Sequence, residues 1–329
     1  MIPEGLVLLT SISFILGVGR LAGKQALVQE MEAIEALART DILCLDKTGT
    51  ITTGHLLVDR IEPVSKIPKE QILTILADIL YAFEDDNATS AALKAHIPAS
   101  SAETSITRKV PFSSRRKFMG IELANGESFV LGAPDFLSDD PGIAEQSGLL
   151  GRQGMRVLLL ASCHELGNSA DALGGTRPLA LISLSDEIKP DAPEIFDFFR
   201  RQNVQVKILS GDNPATVSAV GIRAGIPGAE NYIDTASLDP ADRENLSHLA
   251  SGHTVFGRVS PEMKESIIHA CQQEGHVVGM VGDGVNDVLA LKEADCGIAM
   301  ANGADAAKQS AHIVLLDSDF SSMKDIVKE

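Results

Sequence analysis

The sequence predicts an α/β protein, a doubly wound parallel sheet interrupted by an inserted α+β domain. Three observations carry this. Short apolar runs at Ile42–Leu45 and residues 204–209 end on polar, glycine-containing turns, Asp46-Lys47-Thr48-Gly49-Thr50 and Ser210-Gly211-Asp212-Asn213. Such runs read as buried parallel strands whose carboxyl ends carry a ligand site. A helical stretch, residues 191–202, stands just before the second run. Between residues 54 and 185 the texture changes to two amphipathic helices followed by alternating strands, as an inserted domain would.

Composition sets the bounds. A chain of 329 residues has room for two domains with sizeable cores, and 44% hydrophobic against 22% charged residues marks it as globular. A net charge of −17 argues against a nucleic-acid surface, which would need a basic stripe. Cys44, Cys163, Cys271 and Cys296 form no metal-binding or redox spacing and are expected as packed, reduced thiols.

Taken in order, the chain opens on Met1-Ile2-Pro3-Glu4-Gly5-Leu6 and an apolar run to Val18. That run is roughly 13 residues, shorter than the ~20 that span a bilayer as a helix, and it has no signal-peptide flanks. It reads as a buried core helix or as half of a broken transmembrane helix, in which Pro3 and Gly5 free carbonyls beside Glu4. The Gly17-Val18-Gly19 and Gly23-Lys24 strings imitate dinucleotide and P-loop fingerprints. Neither has the required strand or spacing, and both read as the end of a helix. Residues 27–39 are strongly helix-forming and lead into the strand before Asp46.

The backbone N–H groups after Asp46, with the Thr48 and Thr50 hydroxyls, offer a cradle for an anion such as phosphate. In the inserted domain, helices are expected at 69–83 and 88–96. Strands follow at Phe118–Leu123 and 128–131 around an Asn125-Gly126 turn. Phe112 stands beside Arg115, Arg116 and Lys117. This is either an edge strand with a solvated basic face or an aromatic that stacks on a purine while cations meet phosphate. Residues 179–184 are a further strand. Ser210-Gly211 before a helix start is a phosphate-site pattern. Lys264, early in a helix after Ser260-Pro261, is solvated by default or reaches a phosphate as a compact charge. Gly282-Asp283-Gly284-Val285-Asn286-Asp287 sets carboxylates on a glycine-rich turn, hard oxygen ligands suited to Mg²⁺.

Asp46-Lys47-Thr48-Gly49-Thr50 resembles the signature of the P-type ATPases, cation pumps that form an aspartyl-phosphate on a haloacid-dehalogenase-like fold, and the remaining strings agree in order and spacing. Ser210-Gly211-Asp212 resembles the family's Thr-Gly-Asp. Phe112 and Lys117 match its nucleotide-site aromatic and lysine, and Arg156 its phosphate-contacting arginine. Leu131-Gly132-Ala133 resembles Lys-Gly-Ala, with Gly132 admitting the adenine. Pro3-Glu4-Gly5-Leu6 resembles the ion-binding bend of the fourth transmembrane helix in calcium-type and sodium/potassium-type pumps. The chain departs from the pattern at Leu131 (lysine), Val281 (threonine), Ser90 (glutamate) and Asp186–Lys189 (the hinge).

The resemblance implies a partial transmembrane helix at 1–20, a phosphorylation domain at 21–53 and 186–329, and a nucleotide-binding domain at 54–185. It implies ATP and Mg²⁺ as cofactors, with Asp46 as nucleophile. Asp46, the Thr48 carbonyl and Asp283 would hold the metal. Ser210, Gly211 and Lys264 would hold phosphoryl oxygens, supported by Asn286 and Asp287, with Asp212 on the nucleotide side. The parent would sit in a cell membrane with these domains cytoplasmic, exporting a cation (calcium, in the bacterial pumps it resembles) past Glu4. No Thr-Gly-Glu-Ser loop occurs, which marks the chain as the catalytic fragment of a pump. Two rivals remain. One is a stand-alone haloacid-dehalogenase-type phosphatase, although Thr48 stands where such enzymes place a second Asp. The other is a silent nucleotide-binding module.

Overall fold

The computed structural model describes residues 4–84, 87–99, 104–113, 115–167, 173 and 175–327. Among these the strands are β1 (Ala26–Val28), β2 (Ile42–Leu45), β3 (Thr52–Pro63), β4 (Ile106–Val110), β5 (Phe118–Leu123), β6 (Ser128–Gly132), β7 (Arg156–Cys163), β8 (Thr176–Ile188), β9 (Gln205–Leu209), β10 (Tyr232–Asp234), β11 (Val255–Gly257), β12 (Val278–Gly282), β13 (Cys296–Met300) and β14 (Ile313–Leu315). The chain divides into two compact units, residues up to Thr53 with Ile188 onward, and Gly54–Glu187.

The first unit is built on an eight-stranded sheet of order β1-β14-β13-β12-β2-β9-β11-β10. From β14 to β10 every neighbour is parallel, and β1 runs antiparallel to β14. All four residues of β2 are buried, as a strand covered on both faces must be. Leu43 and Leu45 pack into one core with Phe196 and Phe199 of the Ala192–Arg201 helix. Ile42 and Cys44 pack into the other with Met263 and Ile267 of the Pro261–Gln273 helix. Two helices begin on side-chain caps with proline in the first turn: Asn213 accepts from the Ala215 N–H, and Ser260 from the Met263 N–H. Parallel pairing brings the carboxyl ends of β2, β9 and β12 to one edge, so Asp46, Ser210 and Asp283 emerge side by side.

One expectation in this unit is corrected, and one alternative is set aside. Residues 27–39 are not one helix. Leu27 and Val28 belong to β1, paired with Val314 and Ile313, and the helix is Glu32–Arg39. Tertiary strand pairing overrides local propensity here. At the N-terminal end Glu4–Gly23 is helical, and Gly17, Gly19 and Gly23 lie within it. Leu9, Ile12, Ile15 and Leu16 are exposed, so this is not a buried core helix. Among the described residues no helix is long and apolar enough to cross a membrane. Pro3 and the Glu4 side chain, on which the expected ion-binding bend depends, lie outside the described residues.

The second unit is a six-stranded sheet of order β3-β8-β7-β6-β5-β4, antiparallel from β8 to β4. The Lys69–Tyr81 and Ala88–His96 helices bury Ile72, Leu76, Ile79 and Leu93 with Ile121, Leu160 and Ile182 of the sheet. Gly126 holds φ +86° in the turn between β5 and β6, a conformation open to glycine. The strand expected at 179–184 is longer. β8 runs to Ile188 and takes in Asp186 and Glu187, the start of the segment expected as a hinge. The four cysteines are free, and burial pushes the thiol of Cys163 up to about 11 and that of Cys296 up to about 12. Both are inert thiols at neutral pH.

Candidate active site

Asp46 follows β2 with an extended backbone and caps the turn behind it, its Oδ2 accepting from the Thr48 N–H at 3.2 Å. Its own N–H donates to the Val281 carbonyl of β12 at 3.0 Å, which fixes the turn against the neighbouring strand. Gly49 holds φ +75° and has no room for a Cβ beneath Asp283 Oδ2. Thr50 is buried, and its hydroxyl has no hydrogen-bond partner among the described residues. It does not reach the surface to cradle an anion, as expected of it from the sequence.

Lys264 is 3% exposed rather than solvated. Pro261 and the Ser260 cap start its helix so that the side chain enters the site, where Nζ donates to Asp46 Oδ1 and Asp287 Oδ1, each at 2.6 Å. The other oxygen of Asp287 accepts from the Asp283 and Gly284 N–H groups at 3.2 and 2.9 Å. Gly282 permits this, since a Cβ there would lie 2.6 Å from the Asp287 carboxyl carbon.

Carboxylate oxygens of Asp46, Asp283 and Asp287 lie within 4.8 Å of one another. Three carboxylates thus face one ammonium. Burial, and then the neighbouring acids, push Asp283 up to about 6. Asp46 is raised as well, chiefly by burial and also by Asp287, although Lys264 pulls the other way. Burial opposes the charge on Lys264, but Asp46 and Asp287 outweigh it and raise its pKa. Three carboxylates against one ammonium leave negative charge unbalanced. The cluster's hard oxygen donors fit a small divalent cation such as Mg²⁺.

Ser210 is buried, its hydroxyl accepting from the Asp212 N–H at 3.3 Å, and Gly211 is exposed beside it. Asp212, expected on the nucleotide side, is set against Lys47, with Oδ2 2.8 Å from the ammonium. Lys47 is 4% exposed, and sequence reasoning passed over it. A lysine next to an acid on a turn carries no pattern of its own. Asn286 is exposed next to Asp287.

In the second unit, Phe112, Lys117, Gly132 and Arg156 line one cavity of about 840 Å³. Its walls are otherwise mostly apolar, with Leu93, Met119, Leu131 and Leu158, and Ser90 also lines it. Arg156 Nη1 donates to Thr89 Oγ1 at 2.6 Å. The three cations divide. Lys117 lines the cavity, whereas Arg116 folds back to donate to the Pro111 carbonyl at 2.6 Å, and neither Arg115 nor Arg116 faces the lining. Lys117 holds φ +62°. A Cβ on Gly132 would sit 2.5 Å from Phe118 Cβ and collide with the Lys117 carbonyl. Strand packing alone therefore demands glycine there.

Comparison with known proteins gives the same outline. The family model for haloacid dehalogenase-like hydrolases matches residues 40–295. The chain is 43% identical over its whole length to the calcium-transporting ATPase CtpE of Mycobacterium tuberculosis, covering 41% of that protein. It is 41% identical to the probable cation-transporting ATPase exp7 of Streptococcus pneumoniae, covering 42% of it. The chain thus spans about two fifths of the length of these curated relatives. A crystal structure of a zinc-transporting PIB-type ATPase in its E2.Pi state superposes with a TM-score of 0.72, at 23% identity, over 95% of this chain and 44% of that one, a likeness of fold.

Proposed function

Because the chain belongs to the haloacid dehalogenase-like hydrolases, we propose that its carboxylate cluster carries out phosphoryl transfer from ATP to Asp46, as the catalytic part of a P-type cation-transporting ATPase. The observation that carries this reading is Lys264, buried between Asp46 and Asp287 at the ends of two adjacent parallel strands. A carboxylate that must attack an anionic phosphate needs a fixed cation beside it and no water in between.

An Asp46 carboxylate oxygen bonds to the γ-phosphorus, the bond from that phosphorus to the β–γ bridging oxygen breaks, and ADP leaves. Lys264 offsets charge on both the nucleophile and the incoming phosphoryl oxygens. The Ser210 hydroxyl and the Gly211 N–H receive phosphoryl oxygens, and Asp287 holds Lys264 and the Asp283 turn in place. When bound by Asp46, Asp283 and the Thr48 carbonyl, Mg²⁺ supplies charge neutralisation on the transferring group. Phe112 stacks on the base, while Lys117 and Arg156 meet the phosphates. In the parent, phosphorylation is coupled to cation export across a membrane, with these units on the cytoplasmic side. The relatives' names favour calcium as the cargo.

Trapping decides the matter. With γ-labelled ATP and Mg²⁺ the chain is expected to form an acid-stable, hydroxylamine-sensitive phosphoprotein that Asp46→Asn abolishes. Label that survives in Asp46→Asn overturns the assignment. Label that forms and is released at once points to the phosphatase, and none at all to a silent binding module.

A further inference from the structure

Lys47 and Asp212 have no part in the scheme above, yet they join its two halves. β2 and β9 are parallel neighbours with Leu45 opposite Ile208, so the Asp46 turn and the Ser210–Asp212 loop leave the same sheet edge side by side. Asp46 is extended (φ −73°, ψ 149°), so consecutive side chains point to opposite sides. Asp46 meets Lys264 in front of β12, and Lys47 meets Asp212 in front of β9. The loop is already held from its far side, where the Arg258 N–H donates to the Asp212 carbonyl at 2.8 Å and the Val259 N–H to the Ser210 carbonyl at 3.0 Å.

From this geometry we infer that Lys47 is a positioning residue for phosphoryl transfer. Its buried ammonium, paired with Asp212, fixes the distance between the nucleophile on one loop and the Ser210 hydroxyl and Gly211 N–H on the other. Exposed ion pairs hold little, but here one partner is almost wholly buried, so the pair is screened less and constrains the loop more. The Asp212 backbone N–H also donates to the Ser210 hydroxyl at 3.3 Å, so a shift of this residue's backbone reaches the phosphate-facing group. This assigns Asp212 to loop geometry rather than to nucleotide contact, and it rests on the proposed reading of Asp46 as phosphate acceptor.

The test uses the full chain with Asp212→Asn, whose side chain is half exposed and whose loss leaves the core untouched, and Asp212→Glu as the conservative rescue. Lys47→Met with Lys47→Arg repeats the comparison from the other end. Four readouts are taken: the ATP dissociation constant, the single-turnover rate of label incorporation at saturating ATP, amide exchange across residues 210–213, and the melting temperature. The expected result for Asp212→Asn is an unchanged dissociation constant, a lower melting temperature, faster exchange in the loop, and labelling slowed by about tenfold or more, as a small misplacement of reacting groups produces. Asp212→Glu restores most of the rate. An Asp212→Asn variant that labels at the wild-type rate, or that loses ATP affinity instead of rate, overturns the tether while leaving Asp46 as acceptor. A wild-type chain that takes no label removes both readings.

Discussion

Gly49 sits directly beneath the Asp283 carboxylate, so closely that the backbone of one strand-end turn serves as the floor for the acid of the next. Glycine is required there twice over, by φ +75° and by the absence of space for a Cβ.

Gly49→Ala is therefore expected to destabilise the first unit by about 1–3 kcal/mol, combining left-handed backbone strain with displacement of Asp283. It should also abolish labelling. Thermal melting and label incorporation are the measurements, and a variant matching wild type in both would mean that the turn relaxes freely.

The pH dependence follows from Asp283, which burial and the neighbouring Asp46 and Asp287 push up to about 6. A carboxyl whose folded pKa lies above its unfolded value adds stability at low pH and loses it as pH rises through the folded value. In metal-free buffer the wild-type melting temperature should fall relative to Asp283→Asn between about pH 4 and 7, most steeply near pH 6. Parallel curves for the two proteins would rule out Asp283 as the titrating group.

Phe112 is 46% exposed at the mouth of the cavity, so truncating it opens no core void. Phe112→Ala is expected to weaken ATP binding by ~1–3 kcal/mol, the range for losing an aromatic that stacks on a base, without altering the melting temperature. Calorimetric titration with ATP checks this. An unchanged dissociation constant would make the segment an ordinary edge-strand extension.

Lys207 is buried in β9, and its ammonium donates to the carbonyls of Ala250 and His253 at 2.6 and 2.9 Å, at the carboxyl end of the Arg243–Gly252 helix. Lys207→Met removes a buried charge but strands two carbonyl acceptors. Charge-assisted bonds of this kind contribute about 1.5–3 kcal/mol, so a lower melting temperature is expected. A higher one would mean that desolvation of the ammonium outweighs its bonds.

The positions of Asp46, Ser210 and Asp283 were legible because an apolar run followed by an acid or hydroxyl and glycine leaves little else to form but a strand end. The burial of Lys264 was not. It depends on Asp46, 218 residues away, and no local pattern distinguishes it from any other lysine in a first helical turn. The same holds for Lys47, whose partner lies on another strand. β1 was hidden because its three residues pair with β14 at the far end of the chain, inside a stretch with strong helical propensity. Among Arg115, Arg116 and Lys117 the sequence could not say which cation lines the cavity, since that depends on where the folded turn sends each side chain.

The placement of β2 has a kinetic consequence. Leu43 pairs with Val206 on one side and Gly279 on the other, with the whole of Gly54–Glu187 intervening. During synthesis the strand that delivers Asp46 leaves the ribosome long before either neighbour exists, and the intervening unit can complete its own sheet first. Closing so long a loop is slow unless that unit has already collapsed and shortened the span. Until then Ile42–Leu45 is a wholly apolar strand with two open edges, exposed to mispairing and to capture by chaperones.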